Sequence, residues 1–247
     1  MGAYYLDNQG QIYADVAYRL GVIVKQYDSI IAKNHEQNFD STMSISFLQN
    51  LLTIYSEFWK NESYGIPPFW LDPFYHCKTS ISENNYFGIE PTMLLENNFV
   101  RENQTISTFL THIRNALSHP TSVATDGGIQ STGYYSLFDQ FGRISNYVFI
   151  DSPDVKVNNN GTNRPKSFNS LALFNNYKEN HQMRKHPFKY EEVNGKIELR
   201  NHRIYKVCLS VDQLKKLVID LSKLIAQPIQ KNWNGNDFNL NILDHAA

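Results

Sequence analysis

Apolar and polar positions along this chain follow two rhythms, one helical and one of alternating strands. From Gln11 to Ala32 the residues Ile12, Val16, Leu20, Ile23, Tyr27, Ile30 and Ile31 recur at helical spacing. This predicts a helix with one apolar face and with Asp15, Arg19 and Lys25 away from it. A second helix is expected after Ser41 or Thr42, either of which suits an N-cap. Its stripe is Ile45, Leu48, Leu51, Leu52, Tyr55, Phe58 and Trp59, and Gly65-Ile66-Pro67-Pro68 follows its end. The stripe spacing suits antiparallel packing in a bundle. Glu57 lies beside the aromatic end of this helix and reads as solvated. The stretch from Phe69 to Asn103 is aromatic and irregular, with a short helix expected over Met93 to Phe99. Its Trp70, Phe74, Tyr75, Tyr86 and Phe87 suit base stacking or, in the plainer reading, packing of a loop onto the bundle.

A third helix is predicted over Thr105 to Pro120. Ile106, Phe109, Leu110, Ile113 and Leu117 form its apolar stripe. A step of about 100° per residue sets Arg114, Asn115, Ser118 and His119 on the polar half. Pro120 disfavours helical geometry at His119, so the helix should stop there.

The texture then changes to strands. Thr121 to Thr132 is a Gly/Ser/Thr loop. Tyr134–Asp139 and Asn146–Asp151 read as strands around a turn at Gly142. Asp154 to Phe168, with its Asn158-Asn159-Asn160-Gly161 run, reads as a mobile loop. Leu171 to Tyr177 fits strand or helix. Phe188–Val193 and Lys196–Arg200 flank Asn194-Gly195, a pair suited to a type I′ turn. Ile204 to Leu209 is a further strand. Ser210-Val211-Asp212-Gln213 has the form of a capping box. Leu214, Leu217, Val218, Leu221, Leu224 and Ile225 make a last amphipathic helix to about Ala226, and Pro228 opens an Asn-rich tail.

Chemistry concentrates in the third helix. A guanidinium binds a phosphate bidentately and follows its charge as a trigonal bipyramid forms. A histidine such as His119 can take a proton from a 2′-hydroxyl or give one to a leaving 5′-oxygen. The negative end of the helix dipole favours its protonated form. Asn115 is placed to hold the phosphate or to orient the histidine. On spacing alone, an Arg and a His five residues apart on one polar face are far more often a solvated surface than a catalyst.

The run Arg114-Asn115-Ala116-Leu117-Ser118-His119 resembles the R-x4-6-H signature of the HEPN superfamily, including the polar residue after the arginine. That resemblance implies a small helical bundle and, in many members, a metal-independent endoribonuclease found in toxin–antitoxin, abortive-infection and CRISPR-associated systems. It implies an active site formed at a two-fold interface, with Arg114, His119 and Asn115 catalytic and Ser118 supporting. A toxin subgroup carries tyrosine two positions after the histidine; here that place is Thr121, so control by modification of that tyrosine is not implied. The fold expected is mainly α, α+β overall: a HEPN-like helical bundle over 1–130 with the R-x4-H motif, a β-rich elaboration over 131–209, and a last bundle helix and tail over 210–247.

Composition narrows the partners. The chain has 247 residues, 41% of them hydrophobic, and a net charge of −1. It therefore has no global basic signature for nucleic acid. Any RNA contact needs a local patch, for which Arg184, Lys185 and Lys189, with His181 and His186 nearby, are the candidates. Cys77 and Cys208 lack metal-site or disulfide spacing, and His76-Cys77 has no further ligand at useful distance. No cofactor and no metal are expected. The start lacks the regions of a signal peptide and no apolar run reaches membrane-spanning length, so the chain reads as soluble and cytoplasmic, without a membrane partner.

Three readings compete. One is a homodimeric ribonuclease acting through its RNA's 2′-hydroxyl in antiphage defence or beside an antitoxin or defence partner. Another is a non-catalytic HEPN module that binds nucleotide, RNA or a protein. The third is an interaction protein whose Arg114 and His119 hold a dimer together. The intact Arg, polar residue and His favour the first.

Overall fold

The computed structural model describes residues 8–34, 40–61, most of 77–95, 105–119, 125–126, 129–130, 132–156, 167–180, 188–202, 204–232 and 240–244. Four helices and a three-stranded sheet build the main core. Helix α1 spans Asn8–Asn34, α2 Asp40–Asn61 and α3 Ile106–Ser118. Two short strands follow, β1 (Thr125–Asp126) and β2 (Ile129–Gln130). Then come β3 (Gly133–Phe138), β4 (Ile144–Asp151), β5 (Asp154–Lys156) and β6 (Ser167–Phe168). Helix α4 covers Leu171–Asn180. Strands β7 (Phe188–Val193), β8 (Lys196–His202) and β9 (Tyr205–Ser210) lead into α5 (Val211–Asn232). The class is α+β.

Helix α3 occupies the middle. It packs against α2 on one side and against β4 and β3 on the other, while α5 joins α1 and α2. Its stripe is fully used: Ile106, Phe109, Leu110, Ile113 and Leu117 are all buried. Thr105 caps its start, its hydroxyl accepting from the Thr108 amide at 3.2 Å. Pro120 has the expected effect, since Ser118 is the last helical residue and His119 is the C-cap. The sheet runs β3-β4-β9, all antiparallel, and Tyr147, Phe149, Tyr205, Val207 and Leu209 from it enter the same core as the helices. The second sheet is separate in composition. β8 pairs with β5, β6 and β7, and its own small cluster centres on Phe174 and Ile197.

Local chemistry explains the turns. Asn194 and Gly195 take φ of 52° and 73°, which is the geometry of the type I′ turn expected between β7 and β8. The capping box forms in both directions: the Ser210 amide donates to Gln213 Oε1 at 2.9 Å and the Gln213 amide to Ser210 Oγ at 3.2 Å. At the β3–β4 turn, Asp139 Oδ1 accepts from the amides of Phe141 (2.8 Å) and Arg143 (2.9 Å). These amide donors, Arg143's first, hold the Asp139 carboxyl below its usual range.

Several expectations are corrected. The face of α1 turned inward matches the expected stripe only in part: Leu20 packs against the core, but Val16 and Ile23 do not. Val16 and Ile23 are 38% and 45% exposed, while Ala14, Ala17, Gly21 and Val24 are buried. The reason is close packing on α5: a Cβ on Gly21 would lie 2.7 Å from Ser222 Cβ and 3.0 Å from Leu243 Cδ2. Helix α2 already includes Ser41 and Thr42, so neither caps it. Of the short helix expected over Met93 to Phe99, Met93 closes a 3-10 turn at Pro91–Met93 and Leu94 bridges to Val207 on β9, while residues 96–99 lie outside the described residues. The loop after α3 contains the small β1–β2 ladder, and the loop from Asp154 to Phe168 begins and ends in strand. Leu171 to Tyr177 resolves as helix, with Phe174 buried. The last helix does not stop near Ala226. It runs through Pro228 to Asn232 despite the helical hydrogen bond that a proline removes, and the turn before Pro228 is anchored by buried Leu224, Ile225 and Ala226. Among the described residues no helix is long and apolar enough to cross a membrane.

Candidate functional site

The last two turns of α3 and what surrounds them form the candidate site. The helix turns four different surroundings to its polar residues. Arg114 is half-buried and lines a cleft of about 270 Å³ between α2 and α3, together with Leu52, Tyr55 and Ser56 from α2 and Ser107, Leu110 and Thr111 from α3. Ser118, one turn on, is exposed, and its hydroxyl donates to the Arg114 carbonyl at 2.9 Å. His119 is exposed at the helix end, where its amide donates to the Ala116 carbonyl at 3.4 Å. Asn115 turns to the sheet, and its Nδ2 donates to Asp151 Oδ2 at 2.9 Å.

That last contact belongs to a buried polar knot. The same Asp151 oxygen lies 2.7 Å from His112 Nδ1. A carboxyl oxygen accepts, so Nδ1 carries the hydrogen. Asp151, the last residue of β4, is 4% exposed and His112 is 9% exposed. The imidazole stacks on Tyr205 from β9, with centroids 3.6 Å apart and planes 17° from parallel. One carboxyl group thus ties two successive turns of α3 to the sheet, and a tyrosine fixes the ring from its face. Neither the half-buried Asn115 side chain nor the buried His112 ring can swing without breaking its bond to the Asp151 carboxyl.

The floor of the cleft is kept neutral. Burial raises the Tyr55 hydroxyl well above its ordinary pKa, and the Cys77 thiol beside it is pushed up to about 12 by the same desolvation. Both stay protonated near neutral pH, so Cys77 is no nucleophile there. The Ser107 hydroxyl also faces Tyr55, and the Ser107 amide donates to the Cys77 carbonyl at 2.8 Å, which fastens the start of α3. Arg114 is the one cation among the described residues of the cleft.

The residues named from sequence separate into three groups. Arg114 and Ser118 share one side of the helix, His119 stands at its end, and Asn115 is engaged inward with Asp151. The basic cluster is not part of what can be placed: Arg184 and Lys185 lie outside the described residues, and Lys189 falls on β7, opposite Arg200, without a described side chain. Of the aromatic residues considered for stacking, Phe87 is buried and packs edge-on against half-buried Tyr86, the packing reading; Trp70, Phe74 and Tyr75 lie outside the described residues, as does His76. The backbone of Glu57 belongs to α2 and its side chain is not described.

His112, Asp151 and Tyr205 were not singled out by sequence reasoning. The available signal was weak. His112 falls at the border between the apolar stripe and the polar half, and Asp151 closes an apolar strand, a place where an acidic residue ordinarily meets solvent. Among the described residues no group of three or more His, Cys, Asp and Glu side chains is arranged to hold a metal ion. No family model, no curated protein and no solved structure matches the chain.

Proposed function

We propose that this protein is a HEPN-like, metal-independent endoribonuclease. The observation that carries the reading is the setting of the R-x4-H motif: Arg114 reaches a cleft beside α2, and His119 stands exposed at the end of the same well-anchored helix. A guanidinium at a cleft suits a phosphodiester, whose charge it follows through the transition state. The nucleophile is the RNA's own 2′-hydroxyl. Its proton leaves to a base as the O2′–P bond forms, and the P–O5′ bond breaks as the 5′-oxygen takes a proton. His119 serves in these proton transfers. Asn115, held by Asp151, positions the motif rather than the phosphate. Two copies of the motif face each other across a dimer axis in this reading, and the biological setting is antiphage defence or a toxin with an antitoxin or defence partner.

The test is cleavage of end-labelled RNA in the presence of EDTA. The expected products carry 2′,3′-cyclic phosphate and 5′-hydroxyl ends, and substitution of the scissile 2′-hydroxyl stops the cut. Products with 5′-phosphate ends, or a strict magnesium requirement, would overturn the mechanism. RNA that binds in an Arg114-dependent way and is never cut would favour a non-catalytic binding module.

A further inference from the structure

We infer that the open edge of β3, with the hairpin tip it leads into, docks an extended, uncharged apolar segment of a partner protein. The inference stands apart from the cleavage chemistry, since neither edge nor tip carries a motif residue. The outer strands of a sheet present unpaired amide and carbonyl groups, and a fold ordinarily covers or charges them. Here one edge is covered by the chain itself. Leu94 bridges to Val207 on β9, and the Leu95 amide donates to the Lys206 carbonyl at 2.9 Å. The other edge is different: among the described residues β3 pairs with β4 alone. Its sequence, Gly133-Tyr134-Tyr135-Ser136-Leu137-Phe138, holds no charge and no proline, and its register shift falls at the tip, between Leu137 and Phe138. Gly133–Leu137 is thus a regular strand edge with none of the usual protections.

The apolar surface continues into the tip. Leu137, Phe138 and Phe141 are 41%, 64% and 70% exposed. The turn between the strands is held in place by Asp139, which pairs with Arg143 at 3.0 Å while the Arg143 guanidinium lies 5.1 Å from the centre of the Phe141 ring. The two charges of the tip therefore neutralise each other, which leaves it no free cation for a nucleic acid or an anionic lipid. A second copy of the chain fits poorly. Two β3 strands paired antiparallel about Ser136 would set Leu137 beside Tyr135 and Phe138 beside Tyr134, but would carry each Phe141 past the start of the other strand at Gly133. The two phenyl rings together expose about 200–350 Å², against about 800 Å² per partner in a stable complex. A single extended segment of about eight residues covers edge and tip together, adding a strand along Gly133–Leu137 and reaching the phenyl rings. Leu137 and Phe138 lie on opposite faces of the sheet, so the segment needs apolar residues at consecutive positions.

The experiment is fluorescence anisotropy of a labelled, uncharged octapeptide, Thr-Val-Ile-Thr-Val-Phe-Thr-Thr, titrated with the full chain. One peptide is expected to bind per chain, with a dissociation constant of about the micromolar order that suits a small contact. Leu137→Lys sets a charge on the edge and should weaken binding about tenfold or more. Phe141→Ser removes an anchor and should weaken it about fivefold or more. Both positions are exposed, so both variants should melt near wild type, and neither change should alter the particle mass. An octapeptide with Lys and Glu in place of its apolar residues should not bind. No binding of the apolar peptide, or equal binding by wild type and by the Leu137→Lys, Phe141→Ser double variant, would overturn the inference. Displacement of the peptide by a single-stranded oligonucleotide would overturn it in favour of a nucleic-acid surface. Loss of particle mass in Leu137→Lys would show instead that a second copy occupies the edge.

Discussion

At the scale of single residues the motif divides its work, and the division is measurable. His119 is exposed and its side chain lies off the core, so His119→Ala should leave the melting temperature near wild type. If it moves protons, the same change should slow RNA cleavage about 10²–10⁴-fold with RNA affinity kept. Arg114→Ala should lower affinity and rate together, and Arg114→Lys should restore charge without the fork that grips a phosphate. Leu117→Ala, at a position 3% exposed, is the contrasting case and should cost about 2–5 kcal/mol. An H119A protein that folds normally and cleaves at the wild-type rate would end the catalytic assignment. Asp151 makes a different prediction. Asp151→Ala leaves His112 and Asn115 facing a buried gap, so urea denaturation should show a loss of about 1–3 kcal/mol. Asp151→Asn keeps an acceptor and should recover part of that loss. No loss in either variant would mean that the knot does not hold α3. The apolar stripe and the Arg–His spacing were readable from the chain because they are local patterns. The knot was not, because its partners lie 36 and 39 positions apart and only the strand order β3-β4-β9 brings them together.

Among the elements, those defined by local chemistry were the most legible. The Ser210–Gln213 capping box and the Asn194-Gly195 turn each depend on a handful of consecutive residues, and both form as the residues dictate. Helix α1 shows what local pattern misses. Large apolar side chains marked one face, but the helix turns Ala14, Ala17 and Gly21 inward, since small residues let its backbone approach α5. Burial of backbone and of Val24 outweighs the exposure of Val16 and Ile23 there, and hydrophobic spacing has no term for how closely two helices meet. Gly21→Ala tests this. On an open helix the change would gain about 1 kcal/mol. Here the new methyl meets Ser222 Cβ at 2.7 Å, so the expected outcome is a net loss of about 1–3 kcal/mol. Ser222→Gly should relieve part of it, so the double mutant should be less destabilised than the sum of the singles. Additive losses would show that the two positions do not press on each other. Pro228 makes the complementary point: a helix breaker read in isolation is overruled when the turn before it is buried on three residues.

For the whole molecule, the mixed α+β character was legible from the two rhythms, while the partition of the core was not. Strands β4 and β9 complete the same core as the helices, and only the sheet around β8 keeps a cluster of its own. Periodicity tells which face of a strand is apolar and says nothing of which layer it will cover. This arrangement bears on assembly. Helix α3 is covered by α2 on one side and by the β3–β4 face on the other, yet its last turn still carries exposed Ser118 and His119. One chain supplies one Arg114 and one His119, and a two-fold axis beside that turn would bring a second pair opposite them in an isologous contact. The expected particle is therefore a homodimer of twice 28.6 kDa, with an interface near the roughly 1,600 Å² typical of stable complexes. Light scattering at micromolar concentration reads the mass directly. Replacing exposed Ser118 with Arg adds two like charges near such an axis, one from each copy, and should split the dimer and lower cleavage together without lowering the melting temperature of the separated chain. A monomeric mass with RNA cleavage intact would show that one motif suffices and that the paired arrangement is wrong for this protein.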